Sequence, residues 1–541
     1  MFEIGRDIFK HGFVGADGDR RGRRRMRIVY YFFVAAFILF ILQTLRFGIQ
    51  GTDRARRAGA DGVWMAQRAD IVDRNGDILA KNIMSGHITL RPPYVEKPDE
   101  VAQTIHQILP YEYTLNQAFD LVNSGRKFIY VKKYASATQR EVVENAKLVG
   151  LEIEAEQKRR YPKRRLFSHV IGFVGRDGYG LEGVERTYDD YLRENTDPLQ
   201  LSLDARIQAV FYDQLSIAMQ KYRARAAMGM LMNSRTGEMI AMVSLPDYDP
   251  ENINLDPASN RMFMPLRGVF EMGSIFKIFN TAMAMENGID KEYYVAKPFE
   301  IKDKFGRVAA RISDVRSFKP PRPNLTIEEI MLHSCNAGSA QIALDLPDGT
   351  QKEFFHRLHL DETLKLEFGT TERPLMPAKW GPVERATLSF GHGISVTPMH
   401  LLLAVNAMTN GGIYIYPTLL KRGVGPVRGE RVLDDEISSR LRQVMFHIAE
   451  ETGGKKARVA GIQIGGKTAT AEKYENGRVN HKKNLTAFAG IFPVSAPQYT
   501  ILVILDEPMG TEESFGLRTA AWNAVPTTGK ILDSILPLLF E

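Results

Sequence analysis

The stretch Gly273-Ser274-Ile275-Phe276-Lys277 begins an apolar run that extends to Met285 and stops at Asn287-Gly288. This pattern predicts a buried helix with a glycine just past its end. Residues three apart share one helix face, so Ser274 and Lys277 should lie side by side at the helix N-terminus. Backbone N–H groups and the helix dipole favour developing negative charge there. A lysine whose pKa is lowered by burial could take the serine proton.

The S-x-x-K pattern is weak alone, since Ser124-Gly125-Arg126-Lys127 also matches it in a polar context. Two further motifs follow it in order. Ser334-Cys335-Asn336 lies 60 residues after Ser274, behind a helix whose start is signalled by a capping box of Thr326 and Glu329. Lys467-Thr468-Ala469-Thr470 lies 193 residues after Ser274, in a predicted strand over 462–470. S-x-x-K, S-x-N and K-T-G in this order resemble the signature set of penicillin-binding proteins and serine β-lactamases.

The resemblance to class B penicillin-binding proteins covers most of the chain and is carried by further stretches. Those before the nucleophile are 68–76, Arg159-x-Tyr161-Pro162, 180–185, 236–242 and 246–250, and those after it are 391–394, Thr397-Pro398 and 505–508. The length and the Leu-Asp-Glu-Pro segment look most like the septal, FtsI-type branch. An elongation-type class B enzyme is the alternative within the family.

The chain pattern predicts an α+β protein. A helix is expected over 204–221, followed by strands over 229–232 and 239–243, which suggests an antiparallel sheet covered by helices. Short strands flanking Asp73-Arg74-Asn75-Gly76 and helices over 101–109 and 138–150 are expected earlier. Later strands are expected over 487–492 and 499–505. The basic run 155–165 is expected to be a solvated loop, with a functional contact as the alternative.

The family resemblance divides the chain into four parts. They are a cytoplasmic basic tail at 1–27, a transmembrane anchor at 28–45, an elongated non-catalytic pedestal at 46–200 and a transpeptidase domain at 201–541. The anchor is also indicated by the residues themselves, because 28–45 is almost wholly apolar and would reach about 27 Å as a helix. Seven Lys/Arg lie within the 20 residues before it and four within the 20 after it. The positive-inside rule then places the catalytic part outside the cytoplasm, in the periplasm. A cleaved signal peptide is the rival interpretation.

The resemblance also implies roles for the motif residues. Ser274 would attack the D-Ala-D-Ala carbonyl, with Lys277 as general base. Ser334 would relay a proton to the leaving D-alanine and Asn336 would hold the substrate amide. The roles implied for the last motif are a local electrostatic field from Lys467, carboxylate binding by Thr468 and Thr470, and an oxyanion hole from the N–H groups of Ser274 and Thr470. No cofactor is expected.

Several positions depart from the family pattern. Ala69 and Ala469 replace usual glycines, and Met272 replaces a common proline. Ala469 lies inside the expected site, so it could slow catalysis. Cys335 is expected to be a small buried residue and not a nucleophile. We interpret His333 and His392 as structural.

Composition and charge argue against several other kinds of binding or structural site. The chain has 541 residues and a formal net charge of +7, of which the 27-residue tail carries +4. The rest is nearly balanced, so no nucleic-acid surface is implied. One cysteine excludes an intramolecular disulfide, and no metal-ligand cluster is apparent.

Three rival functions stay open at this point: a catalytically weakened division scaffold, a β-lactamase and a β-lactam sensor. No glycosyltransferase motif set is found. The resemblance therefore implies a separate membrane-embedded glycan polymerase, FtsW-like, and other division proteins as partners, with peptidoglycan stem peptides as substrates and β-lactams as inhibitors.

Overall fold

The computed structural model describes residues 29–41, 43, 68–315, 318–423, 427–475 and 478–540. The chain divides into two compact units, Met1–Gln67 and Arg68–Glu541. In the first unit residues 29–41 are helical and carry exposed aromatic and aliphatic side chains. Within the described residues, no helix combines the length and the apolarity needed to cross a membrane. The predicted tail and part of the predicted anchor at 28–45 lie outside the described residues, so the anchor stays a prediction.

The second unit contains a five-stranded antiparallel sheet. Its strands, in spatial order, are Gly465–Glu475, Arg478–Phe492, Tyr499–Asp506, Ala226–Asn233 and Met239–Leu245. Alternate residues of one central strand enter different apolar clusters, Met228 and Met230 on one face and Ala227 and Leu231 on the other. Burial on both faces explains why this strand is apolar throughout instead of alternating with polar residues.

Helices cover both faces of this large sheet, as the sequence predicts for an α+β protein. Ala205–Lys221 and Ala524–Leu539 pack together on one face. The Asp204 side chain caps the first by accepting a hydrogen bond from the Arg206 N–H. The other helices of this part are Met264–Arg267, Lys277–Glu286, Ile327–Leu332, Asn336–Asp345, Thr350–Arg357, Pro382–Leu388, Pro398–Thr409 and Asp435–Glu451. Four two-stranded pairings complete it: Phe299–Lys302 with Val308–Ile312, Tyr293–Tyr294 with Asn324–Leu325, Lys365–Leu366 with Gly369–Thr370, and Ile413–Tyr414 with Glu430–Arg431.

A second sheet is built by the residues before 201. Its strands are Ile71–Val72, Ile78–Leu90, Ile129–Lys132, Leu151–Arg160 and Leu199–Gln200. The accompanying helices are Pro98–Ile108, Leu115–Val122, Ala137–Ala146, Ser168–Ile171, Gly183–Thr187 and Asp189–Glu194. The predicted turn between the first two strands is confirmed, since the Asp73 carboxylate accepts from the backbone N–H of Asn75 and of Asp77.

A buried carboxylate joins three of the stretches that carry the family resemblance. Glu185 receives Arg68 Nε at 2.6 Å and Arg159 Nε at 2.7 Å, and all three side chains are buried. A buried charge is tolerated only when paired and hydrogen-bonded, so these residues depend on each other. The motif residues are therefore structural here, and they fix the second sheet to the segment 180–185.

The basic run 155–165 forms ion pairs within the molecule. Its arginines pair with acidic residues that follow the strand Met239–Leu245: Arg160 with Glu251, Arg164 with Asp249, and Arg165 with Asp247 and Asp256. The expectation of a solvated loop is therefore wrong. Every acidic partner lies more than 80 positions away along the chain, which a local pattern cannot reveal.

Several boundaries differ from the predicted ones for identifiable reasons. The strand predicted over 487–492 begins at Arg478, because its first part pairs only with Gly465–Glu475 and extends past the third strand as a polar hairpin. The helix predicted over 138–150 ends at Ala146, where Lys147 adopts a left-handed φ of +48°. The division predicted at residue 200 stays a prediction, since residues 68–541 form one compact unit.

Candidate active site

The first motif forms a tight turn that leads into a helix. Gly273–Phe276 is a 3-10 turn and the α-helix Lys277–Glu286 follows it. Ser274 therefore lies in the turn, and the expectation that it begins the α-helix itself is corrected. Gly273 has a φ of +51°, which suits glycine and sets the direction of this turn. The predicted juxtaposition is confirmed, because Lys277 Nζ lies 2.8 Å from Ser274 Oγ.

A second glycine allows the turn to be approached closely. A side-chain carbon on Gly391 would collide with the carbonyl oxygen of Gly273, so the backbones pack without side chains between them. The same loop is tied down by Glu271, whose Oε1 accepts from the Gly393 N–H at 2.9 Å. Burial raises the pKa of Glu271, and this hydrogen bond opposes that effect. Glu271 was not singled out in the sequence, where nothing but its nearness to Ser274 marks it.

Lys277 is fully buried and contacts two motifs. Its Nζ lies 2.7 Å from Asn336 Oδ1 in addition to its contact with Ser274. Burial lowers the pKa of Lys277 to about 8, while the negative charge of Asp314 acts in the opposite direction. A minor neutral fraction is therefore present at neutral pH and grows as the pH approaches the pKa, and a neutral amine beside a serine hydroxyl is a competent general base.

The second motif lies between two helices. The predicted capping box of Thr326 and Glu329 is present at the start of Ile327–Leu332. Ser334 follows in a left-handed conformation with a φ of +59°, and the next helix begins at Asn336. This reversal directs Ser334 toward the third motif, because Lys467 Nζ lies 3.0 Å from Ser334 Oγ.

Cys335 is fully buried, as expected. Its Sγ donates to Asp314 Oδ2 at 3.2 Å and accepts from the Gly338 N–H at 3.2 Å. Burial and the neighbouring Asp314 raise the pKa of this thiol to about 12. Because the thiolate is the reactive form, this cysteine is poorly suited to act as a nucleophile.

The third motif lies on the edge strand Gly465–Glu475, which has a sheet neighbour on one side. Lys467 and Ala469 are buried, whereas Thr468 and Thr470 are half-buried, because successive side chains of a strand point to opposite faces. Burial and the positive charge of Lys277 lower the pKa of Lys467 well below its ordinary value. Thr470 Oγ1 accepts from the Ala520 N–H at 3.1 Å, which ties the strand to the loop before the last helix.

The open edge of this strand faces the nucleophile turn. A side-chain carbon placed on Gly273 would lie 3.5 Å from the carbonyl oxygen of Thr470 and 3.7 Å from the Cβ of Ala469. In an antiparallel strand, the N–H and C=O of one residue point to the same side. The Thr470 N–H is therefore directed toward the turn that carries Ser274.

Of the other residues considered, Ser124 lies away from the three motifs, whereas His392 and Phe390 lie near Lys277. Ser124 is exposed in the part before residue 201, far along the chain from the three motifs, and its N–H bonds to the Leu121 carbonyl. Burial lowers the pKa of His392, and Lys277 lowers it further, so the ring is neutral and close to the site. The ring centroid of Phe390 lies 5.6 Å from Lys277 Nζ. In the described part of the chain, no group of His, Cys, Asp and Glu side chains could hold a metal ion.

Family models match both parts of the chain. The model for the penicillin-binding protein transpeptidase domain matches residues 227–526, which is more than half of the chain. The chain belongs to the penicillin-binding protein family. The model for the penicillin-binding protein dimerisation domain matches residues 64–210. The chain therefore carries both domains.

Individual relatives of this penicillin-binding protein cover nearly its full length. A protein of Caulobacter vibrioides named "Probable peptidoglycan D,D-transpeptidase FtsI" is 32% identical over 534 residues, covering 95% of this chain and 89% of that protein. Escherichia coli K12 "Peptidoglycan D,D-transpeptidase FtsI" is 29% identical, covering 87% and 83% respectively. The crystal structure of a peptidoglycan synthetase from Bifidobacterium adolescentis is 18% identical with a TM-score of 0.67, covering 88% of this chain and 96% of that one. This last likeness concerns the fold.

The pKa of Lys277 generates a prediction about acylation by penicillin. Below its pKa of about 8 the lysine holds its proton and cannot accept one from Ser274. The acylation rate constant should therefore fall about tenfold for each pH unit below the pKa and level off above it. Stopped-flow acylation across this range measures the profile, and a rate that does not change with pH would remove Lys277 as the base.

Ala469 generates a second prediction. Its methyl group is buried, like Lys467, and lies near Gly273, next to the Thr470 N–H that we expect it to displace slightly. An oxyanion donor is worth about 3 kcal/mol in full. If the glycine variant regains about a quarter to two-thirds of this oxyanion stabilisation, Ala469→Gly should acylate about 3- to 30-fold faster. Stopped-flow acylation by one β-lactam compares the two proteins. An unchanged or slower glycine variant would mean that the surroundings already accommodate the methyl group.

Proposed function

We propose that this chain is a serine-type peptidoglycan D,D-transpeptidase that cross-links stem peptides through an acyl-enzyme. The observation that carries the proposal is the pair of contacts made by buried Lys277, at 2.8 Å to Ser274 Oγ and 2.7 Å to Asn336 Oδ1. These contacts bring a nucleophile, a base of lowered pKa and an amide together in one place. The names of the FtsI relatives support the same reaction.

In the acylation step, Ser274 Oγ attacks the carbonyl carbon between the two D-alanines while Lys277 takes the hydroxyl proton. An ester bond to Ser274 forms, the C–N bond to the terminal D-alanine breaks, and Ser334 relays a proton to the leaving amine. Asn336 holds the substrate amide. The N–H groups of Ser274 and Thr470 stabilise the oxyanion.

In the second step, the amine of another stem peptide attacks the ester carbonyl. A new amide bond forms, the ester breaks, and Ser274 regains its proton. Lys467 contributes a positive field, and Thr468 and Thr470 bind the terminal carboxylate. The hydroxyl of Thr470 can still donate, because its contact with Ala520 uses the oxygen as an acceptor. No cofactor takes part in this scheme. A β-lactam resembles the substrate amide and is trapped at the ester stage as an inhibitor.

The cellular role that we propose is septal wall synthesis during division. The FtsI name of several relatives supports this role. An elongation-type class B enzyme is the alternative, and a fluorescent fusion seen along the side wall instead of at the septum would favour it. An FtsW-like glycan polymerase and other division proteins are the proposed partners.

The cellular location that we propose is the bacterial cytoplasmic membrane. Residues 28–45 form a single uncleaved anchor, the basic tail 1–27 lies in the cytoplasm, and the pedestal 46–200 and the transpeptidase domain 201–541 lie in the periplasm. The apolar stretch and the arginines before it support this topology.

The nucleophile is tested by covalent labelling. Ser274→Ala should lose all labelling by fluorescent penicillin while the protein stays folded, because it removes one oxygen from a half-buried position. Ser124→Ala is the matched control, since Ser124 begins the other S-x-x-K sequence and should label like the wild type. Labelling of Ser274→Ala would show that the nucleophile is another residue.

Labelling also separates the rival functions. An unlabelled wild-type protein would favour a scaffold without catalysis. Rapid turnover of a chromogenic cephalosporin would favour a β-lactamase. A stable acyl-enzyme without transpeptidation of a stem-peptide substrate would favour a β-lactam sensor.

Topology has its own test. A reporter that is active only in the periplasm should be active when fused after residue 60 and inactive when fused before Arg20, because the intervening apolar stretch crosses the membrane. N-terminal sequencing of the native protein is the complementary measurement. A mature N-terminus near residue 60 would replace the anchor with a cleaved signal peptide.

A further inference from the structure

Asp314 belongs to none of the signature motifs, yet its carboxylate holds the middle motif. It follows the strand Val308–Ile312 and reaches the start of the helix Asn336–Asp345. One carboxylate oxygen accepts from the Asn336 N–H, and the other accepts from Cys335 Sγ at 3.2 Å. The carboxylate thus contacts two successive residues of the Ser334-Cys335-Asn336 motif.

These contacts satisfy the hydrogen-bonding requirement of a helix N-terminus. The first N–H groups of a helix have no partner within the helix, and a negative charge at this end is favoured by the helix dipole. Ser334 is in the left-handed region with a φ of +59°, a conformation that persists only when the surroundings impose it. Asp314 provides such a constraint from outside the motif.

The same carboxylate acts on a site that holds two buried lysines. Lys277 and Lys467 are each about 1% exposed, and the positive charge of Lys277 lowers the pKa of Lys467. The titratable groups that interact electrostatically with Lys277 come from different elements: Lys467 from the edge strand, the Cys335 thiol, His392, and Asp314. His392 is in turn influenced by Glu472. Asp314 and Lys277 both contact Asn336, and the negative charge of Asp314 favours the ammonium form of Lys277, which burial disfavours.

We propose that Asp314 is a positioning residue for acylation, which holds Ser334 and Asn336 against the lysines and balances the positive charge of Lys277. The inference rests on the proposed function, in which Lys277 is the general base. It adds that the charge of Asp314, and not only its shape, sets the pH range in which Ser274 reacts.

The test compares the pH profile of acylation in four full-length proteins: wild type, Asp314→Asn, Asp314→Glu and Asp303→Asn. Asp314→Asn keeps an oxygen that can accept from the Asn336 N–H but removes the charge. Without that charge the ammonium form of Lys277 loses stabilisation, so the midpoint of the profile should move to lower pH, by about one unit. Asp314→Glu keeps the charge, so its midpoint should stay near that of the wild type even if its plateau rate falls.

Asp303→Asn is the matched control. Asp303 lies in the same hairpin, where its carboxylate accepts from the backbone N–H groups of Phe305 and Arg307 at the turn. The same chemical change there should leave the midpoint unchanged. A role limited to folding would lower the plateau in Asp314→Asn without moving the midpoint, so an unmoved midpoint would overturn the inference.

Three outcomes separate the role of Asp314 from the proposed function. Complete loss of labelling in Asp314→Asn at every pH would overturn the role assigned to the charge of Asp314, because loss of charge alone leaves Ser274 and Lys277 in contact. Absence of labelling in the wild type would overturn the proposed function and this inference together. A labelled wild type with identical midpoints in all four proteins would overturn only the role of Asp314.

Discussion

The site depends on the burial of two lysine side chains. An amine removed from water is tolerated when its hydrogen bonds are replaced by protein groups. For Lys277 these groups are Ser274 and Asn336, and for Lys467 they are Ser334 and the carbonyl oxygen of Thr468. These partners come from a turn, a helix junction and an edge strand that are far apart in the chain. Placing the two amines therefore requires three segments to converge, and the serine hydroxyls lie within their reach as a consequence.

The backbone around the nucleophile permits this convergence. Gly273 turns the chain with a positive φ, and Gly391 lets another loop approach that turn more closely than a side chain would allow. The edge strand presents its open side to the same place, so that N–H groups without a sheet partner on that side are available for an oxyanion. The glycines thus allow the backbone segments to approach closely, and the sheet edge leaves N–H groups available. The side chains supply the reactive groups.

The part of the molecule before residue 201 is organised by a different charge arrangement. Glu185 is buried between Arg68 and Arg159, and the arginines that follow pair with the acidic loop after Met239–Leu245. Such networks lose stability strongly when one member is removed, because the remaining charge is left without a partner. The family motifs in this region therefore preserve the structure, in contrast to the three motifs around Ser274, which bring together groups that can react.

The sequence by itself determined the order of the three motifs, the pairing of Ser274 with Lys277, the capping box before the second motif and the apolar strands of the large sheet. Local periodicity and backbone chemistry produce these features, so neighbouring residues are enough to predict them. Only the tertiary structure decided the contacts of Asp314 and Glu271, the acidic partners of the basic run and the start of the second strand at Arg478. Each of these depends on a segment distant in the chain, because a carboxylate, an arginine or a strand edge takes its partner from whatever the fold places beside it.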